Sequence, residues 1–211
     1  MSNTAAAQEE YQNTQIIRKD GKDCFLEVKS DAFGIGKMHF EFAAYDMSKP
    51  KGSRFTNHTH IYIDISEFLQ LSNEITSGRL HKRMMETKAV MNNKSASDAD
   101  KKKAWLPLYS SMGGTPAERL REPRKDGMGV SRTIKITAGS KKDYLVTAES
   151  GPGEANEKGL IVPRYGNKPE HKVTVALTWR DLEQIALTAA THYTAWLSMK
   201  YVQDAAGQNT K

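Results

Sequence analysis

Cysteine is almost missing from the chain: Cys24 stands alone among 211 residues. A disulfide framework within the chain is thereby excluded, and a single thiol fits a reducing compartment. Within the apolar run Cys24-Phe25-Leu26-Glu27-Val28 it reads as a small buried hydrophobe. Apolar residues make up only 38% of the sequence, and no run approaches the length of a membrane span. Residues 1–14 have neither a basic start nor an apolar stretch, so no targeting signal is read there, and the expectation is a cytoplasmic chain with no membrane partner. Signatures of chemistry are equally scarce. Gly34-Ile35-Gly36-Lys37 lacks the spacing of a phosphate loop and leads into a strand. No Ser/His/Asp pattern has a local signature, and no paired carboxylates lie in an apolar setting. His58-Thr59-His60 places two imidazoles on one side of a strand, which is metal-ligand geometry in principle. No cysteine pair or Glu-bearing helix motif completes it, so these read as surface or hydrogen-bonded histidines. Neither enzyme activity nor a cofactor nor a metal is expected.

Positive charge is in surplus: 31 Lys and Arg stand against 25 Asp and Glu, for a net charge of +6. Residues 79–129 alone hold 12 basic and 6 acidic residues, so this segment carries the whole excess. Such a balance favours polyanionic partners.

Hydrophobic periodicity predicts an α+β fold built from two strand-rich repeats, each an antiparallel β4-α unit. Residues 1–14 are expected to be a disordered tail, 15–78 the first repeat, 79–129 a basic insert or linker, 130–202 the second repeat and 203–211 a second disordered tail. In the first repeat strands fall at 15–19, 24–29, 37–45 and 59–65. Cys24, Leu26 and Val28, then Met38, Phe40, Phe42 and Ala44, then Thr59, Ile61, Ile63 and Ile65 face inward. Ser66 is placed to cap a helix over 67–77, buried through Phe68, Leu69, Ser72 and Ile75. That helix is read as continuing toward Met91, and Gly113-Gly114-Thr115-Pro116 as a breaker. The second repeat reads as strands at 132–138, 143–149, 159–165 and 172–177, with Pro163 suggesting an edge. A long amphipathic helix follows, capped by Thr178 and Asp181. Glu67-Phe68-Leu69-Gln70-Leu71 reads like Asp181-Leu182-Glu183-Gln184-Ile185, although aligning the two caps instead shifts the register by two residues.

Cations and rings share the outward faces. Phe25, Lys29, Lys37, His39, Arg54, His60, Tyr62, Lys135 and Tyr165 fall there or in the adjoining loop. Lys141 and Lys142 lie in a turn, and Lys101-Lys102-Lys103-Ala104-Trp105 adds a ring beside a triple charge. Lysines neutralise phosphates and flat rings stack on unpaired bases whatever their sequence. The structural alternative is that the rings cover a second apolar layer while the lysines guard strand edges. Two units of four antiparallel strands and a helix, basic on the sheet face, resemble the Whirly family of single-stranded DNA-binding proteins over residues 15–77 and 130–201. The resemblance implies paired sheets, helices that hold subunits together, commonly as a tetramer, and DNA bound across the sheet edges. The family's Lys-Gly-Lys-Ala-Ala-Leu signature would fall near Gly36-Lys37-Met38-His39-Phe40 and is absent, so no residue role is carried over. The expected function is sequence-tolerant binding of single-stranded DNA or RNA, DNA favoured, with a homo-oligomer formed through the C-terminal helix. The alternative is an accessory subunit whose basic insert docks an acidic partner.

Overall fold

The computed structural model describes residues 14–208, so nearly all of the expected N-terminal tail lies outside the described residues. The first half is a four-stranded antiparallel meander of β1 (Gln15–Asp20), β2 (Cys24–Lys29), β3 (Lys37–Tyr45) and β4 (Phe55–Asp64), followed by α1 (Ile65–Thr76). The alternating apolar positions of β2, β3 and β4 form its inner face, where Leu26, Val28, Met38, Phe42 and Ile63 are almost fully buried. The helix and its cap both begin two residues earlier than expected. Ile65 is helical, and Asp64 holds the N-cap position with its side chain turned to Lys37 at 2.7 Å. Leu69 is exposed and Leu71 takes its place on the buried stripe.

Gly78, in the left-handed region at φ 77°, ends α1, so α2 (Arg79–Asn92) is a separate helix rather than an extension of it. Leu80 and Met84 anchor α2 in the core. After the short α3 (Asp98–Ala104) the chain enters β5 (Tyr109–Thr115), a strand inside the segment expected to be an insert. Gly113 and Gly114 are therefore part of a strand and not a breaker. A Cβ on Gly114 would lie 2.2 Å from the Val130 carbonyl oxygen, so only glycine lets β5 approach its neighbour.

The second sheet runs β5, β6 (Gly129–Ala138), β7 (Tyr144–Ala155) and β9 (His171–Leu177), all antiparallel, and ends in α4 (Trp179–Gln208). β8 (Ile161–Pro163) pairs only with the far end of β7, in keeping with Pro163 at an edge. The second meander thus has four strands, with β5 replacing β8 in the expected set. α4 continues through residue 208, so residues 203–208 are helical rather than a tail. None of the described helices is long and apolar enough to cross a membrane.

The two halves match residue for residue. β4 pairs Ile63 with Met38 and Ile61 with Phe40, as β9 pairs Leu177 with Tyr144 and Val175 with Val146. Two contacts join equivalent positions directly: Ser72 Oγ donates to the Ala186 carbonyl at 3.2 Å, and His171 Nδ1 meets Asn57 Oδ1 at 3.0 Å. Both pairs are 114 residues apart, the offset that also aligns the two helix pentapeptides. α1 packs against α4, and the inner faces of both sheets contribute to a single core.

Candidate nucleic-acid interface

The outer face of the first sheet carries most of the residues with chemistry. At one end a register shift between Ala44 and Tyr45 sets Tyr45 opposite Phe55. An open cavity of about 400 Å³ forms there, lined among others by Arg18, Phe25, Tyr45, Lys51, Arg54 and Phe55. Phe25 is its floor, only 5% exposed, with the Arg18 guanidinium carbon 3.8 Å above the ring. Phe55 stands edge-on to it at 6.2 Å and is 65% exposed. Among the described residues Lys51 and Arg54 make no ion pair; Arg54 Nε donates to the Lys49 carbonyl at 3.3 Å. Sequence alternation placed Phe25 correctly on this face but not its cover, so it is a support for exposed rings and not itself free to stack.

The middle of the face is a closed polar network. Glu41 accepts from Lys29 at 3.0 Å and from His58 Nε2 at 2.7 Å. Burial pushes the Glu41 carboxyl up, but the hydrogen bonds from His58 and Lys29 outweigh it and hold the group below its ordinary value. His39, only 2% exposed, meets Asp31 through Nδ1 and His60 through Nε2, both at 2.8 Å, and stacks on Tyr62 with centroids 4.5 Å apart. Burial, then the neighbouring His58 and His39, lower His60 to about 4. His39 and His60 are therefore not solvent-facing phosphate ligands: the first is buried and the second is uncharged at neutral pH. Lys29 and Lys37 are likewise tied to Glu41 and Asp64. On the second sheet Lys135 is tied to Glu149 at 2.7 Å.

At the other end Tyr62, 45% exposed, opens into a cleft of about 630 Å³ between β4 and the β5–β6–β8 end of the second sheet. Arg132 lines it. Its guanidinium donates to Thr115 Oγ1 at 2.8 Å and has no carboxylate partner among the described residues, while burial lowers its pKa. An arginine remains charged under such a shift, so this is a half-buried cation without a counter-ion. Arg119 joins it in the cleft.

The remaining predicted residues lie elsewhere. Lys101, Lys102 and Lys103 fill the last turn of α3, and Trp105 at its C-cap is 72% exposed. Lys101 Nζ reaches the Lys94 carbonyl at 3.4 Å, and Lys88 of α2 reaches the Lys142 carbonyl at 3.4 Å. α2, α3 and the β6–β7 turn thus share one end of the molecule, where Lys102, Lys103, Lys141 and Lys142 are exposed without ion pairs among the described residues. Tyr165 is a correction: its ring lies flat over Gly151, where an added Cβ would come within 2.7 Å of it, and its hydroxyl is buried.

Arg18, Phe55, Arg119 and Arg132 were not singled out by the sequence. Arg132 had a signal. It continues the inward row Ile134, Ile136, where an arginine has no apolar partner, and it stands at the position that Cys24 occupies in the first sheet. Comparison with known protein families, with curated proteins and with solved structures gives no match to the chain.

Proposed function

We propose that this protein binds an unpaired DNA or RNA strand along the outer face of the first sheet, as a binding protein rather than an enzyme. The carrying observation is the open pocket in which the exposed Phe55 ring and Tyr45 stand over a buried Phe25 floor beside the unpaired Lys51 and Arg54. Rings of this kind stack on bases of any identity, and free cations beside them accept the phosphates. Tyr62 lies seven residues along β4 from Phe55, a span of about 23 Å at the rise of an extended strand. A second stacking surface, with the uncompensated Arg132 next to it, therefore sits several nucleotides further along the same face. Within this reading the lysines at the α3 end add long-range attraction, and the distal part of α4 contacts another copy of the chain.

Fluorescence anisotropy with labelled single-stranded DNA, RNA and duplex of equal length, at two salt concentrations, tests the proposal. Micromolar or tighter binding to single strands, weaker on duplex and falling steeply with salt, is expected. Equal or stronger affinity for duplex, or no binding at low salt, overturns it. Charge reversal of Lys101, Lys102 and Lys103 together is expected to weaken binding to all single strands alike. Unchanged affinity in that variant removes the lysine end from strand binding.

A further inference from the structure

The polar network in the middle of the first sheet has a composition that hydrogen bonding alone does not require. Glu41 of β3 lies directly opposite His60 of β4 in the register, and His58 projects from the same face two residues away. One carboxylate oxygen and two imidazole nitrogens from these side chains all fall within 4.8 Å of one another. The sequence offers two histidines at strand spacing; antiparallel pairing adds Glu41 from the neighbouring strand. We propose that Glu41, His58 and His60 form a binding site for a divalent transition-metal ion of the zinc type.

Two imidazoles and a carboxylate are a ligand set that zinc and its first-row neighbours accept with at least one position left for water or substrate. The surrounding groups are arranged as outer partners of such a site. Asp31 can only accept, so the Nδ1 of His39 facing it at 2.8 Å carries a proton. When His60 carries its proton on Nδ1, the Nε2 of His39, 2.8 Å away, accepts it. That leaves the lone pair of His60 Nε2 unengaged, with the ring fixed by a carboxylate–histidine chain behind it. Lys29 holds the second oxygen of Glu41 in place. One adjustment concerns His58 Nε2 and Glu41 Oε1, which are 2.7 Å apart. Two ligands on a tetrahedral zinc with bonds of about 2.0–2.1 Å are about 3.3 Å apart. A rotation of the exposed His58 ring opens that gap, the ring proton moving to its other nitrogen.

The test uses the untagged full chain, stripped with a chelator and titrated with Co2+ and then Zn2+ alone, without nucleic acid. One equivalent of cobalt is expected to give the visible ligand-field bands of a low-coordinate site, and zinc to bleach them. E41Q, H58A and H60A should lose the bands, while H192A keeps them. D31A, a positioning change one step behind His39, should retain one equivalent but weaken zinc about 10- to 100-fold. Absence of bands in the wild type, or zinc binding by E41Q and H58A as tight as wild type, overturns the site. Since His58 is exposed, H58A carries the test even if H60A fails to fold by circular dichroism. Neither titration contains an oligonucleotide, so failure here leaves the proposed strand binding untouched.

Discussion

Replacing Phe55 by alanine separates a stacking role from a structural one. Burying a whole phenylalanine side chain is worth about 1.5–3 kcal/mol. With 65% of Phe55 exposed, the covered third is worth about 0.5–1 kcal/mol by that scale. Its edge contact with Phe25 at 6.2 Å adds about 0.5–1.5 kcal/mol. The variant therefore remains folded, at a cost of about 1–2.5 kcal/mol. Phe25→Ala is not an equivalent experiment, because truncating a buried phenylalanine costs about 3–5 kcal/mol and confounds binding with stability. Loss of one base stack is worth about 1–3 kcal/mol, or roughly a 5- to 150-fold rise in Kd. No charge is removed, so the slope of log affinity against log salt should stay constant while the whole line drops. Arg54→Ala should do the reverse, flattening the slope by about 0.7. Anisotropy titrations over a salt series, with thermal melts of each variant, measure both. An F55A protein that melts as a folded chain and binds as tightly as wild type refutes the pocket as a stacking site.

Three further outcomes follow from the fold. Asp181 is pushed up by burial, but hydrogen bonds from Thr178 and then Lys19 hold its carboxyl down at about 2, against an ordinary 3.8. The unfolded chain thus takes up this proton first, so the contribution is complete above pH 3.8 and is lost as pH falls toward 2. Allowing for partial exposure, D181N should remove roughly 1–2 kcal/mol of that pH-dependent stability in urea melts between pH 2 and 5; parallel wild-type and variant curves would contradict it. Gly114→Ala forces a Cβ against the Val130 carbonyl and should cost about 2 kcal/mol or more, whereas Gly113→Ala meets nothing within 4 Å and should leave Tm nearly unchanged; equal melting of the two variants would be inconsistent with the β5–β6 packing. Exposed Met199, Tyr201 and Val202 lie on the distal part of α4, and in the proposed oligomer Val202→Asp should yield a monomer by light scattering, an unchanged mass ruling out that surface.

The α+β class and the inner faces were legible because alternation directly encodes which way a side chain points. β2 and β3 fall at their expected residues, and Thr59, Ile61 and Ile63 of β4 are buried as expected. β5 was not legible. Tyr109-Ser110-Ser111-Met112-Gly113-Gly114-Thr115 has no apolar row: the residues opposite Ile136, Ile134 and Arg132 are Tyr109, Ser111 and Gly113. Nor does periodicity supply partners. It assigns Lys29 and Lys135 to the outer faces correctly, but the glutamates that neutralise them come from neighbouring strands and depend on register. Charge counted along the chain therefore overstates the free cations on the sheets. It understates Arg132, whose counter-ion is missing in three dimensions.

The internal duplication turns this into an argument about where the function resides. Paired registers equate Leu26 and Val28 with Ile134 and Ile136, Phe40 with Val146, and Ile61 and Ile63 with Val175 and Leu177. Both inner rows are apolar throughout these positions, as a shared core demands. The outer rows have diverged. Phe25 corresponds to Thr133, His39 to Leu145, Glu41 to Thr147, His60 to Thr174 and Tyr62 to Ala176. A fold needs no histidine stacked on a tyrosine or buried against a second histidine at these places, because the second sheet folds with threonine, leucine and alanine there. On the inner face Arg132 replaces Cys24 and puts a charge where the second sheet opens the cleft toward Tyr62. The departures from the repeat thus gather on one continuous surface, the outer face of the first sheet and the cleft at its end, where a structural requirement accounts for them least.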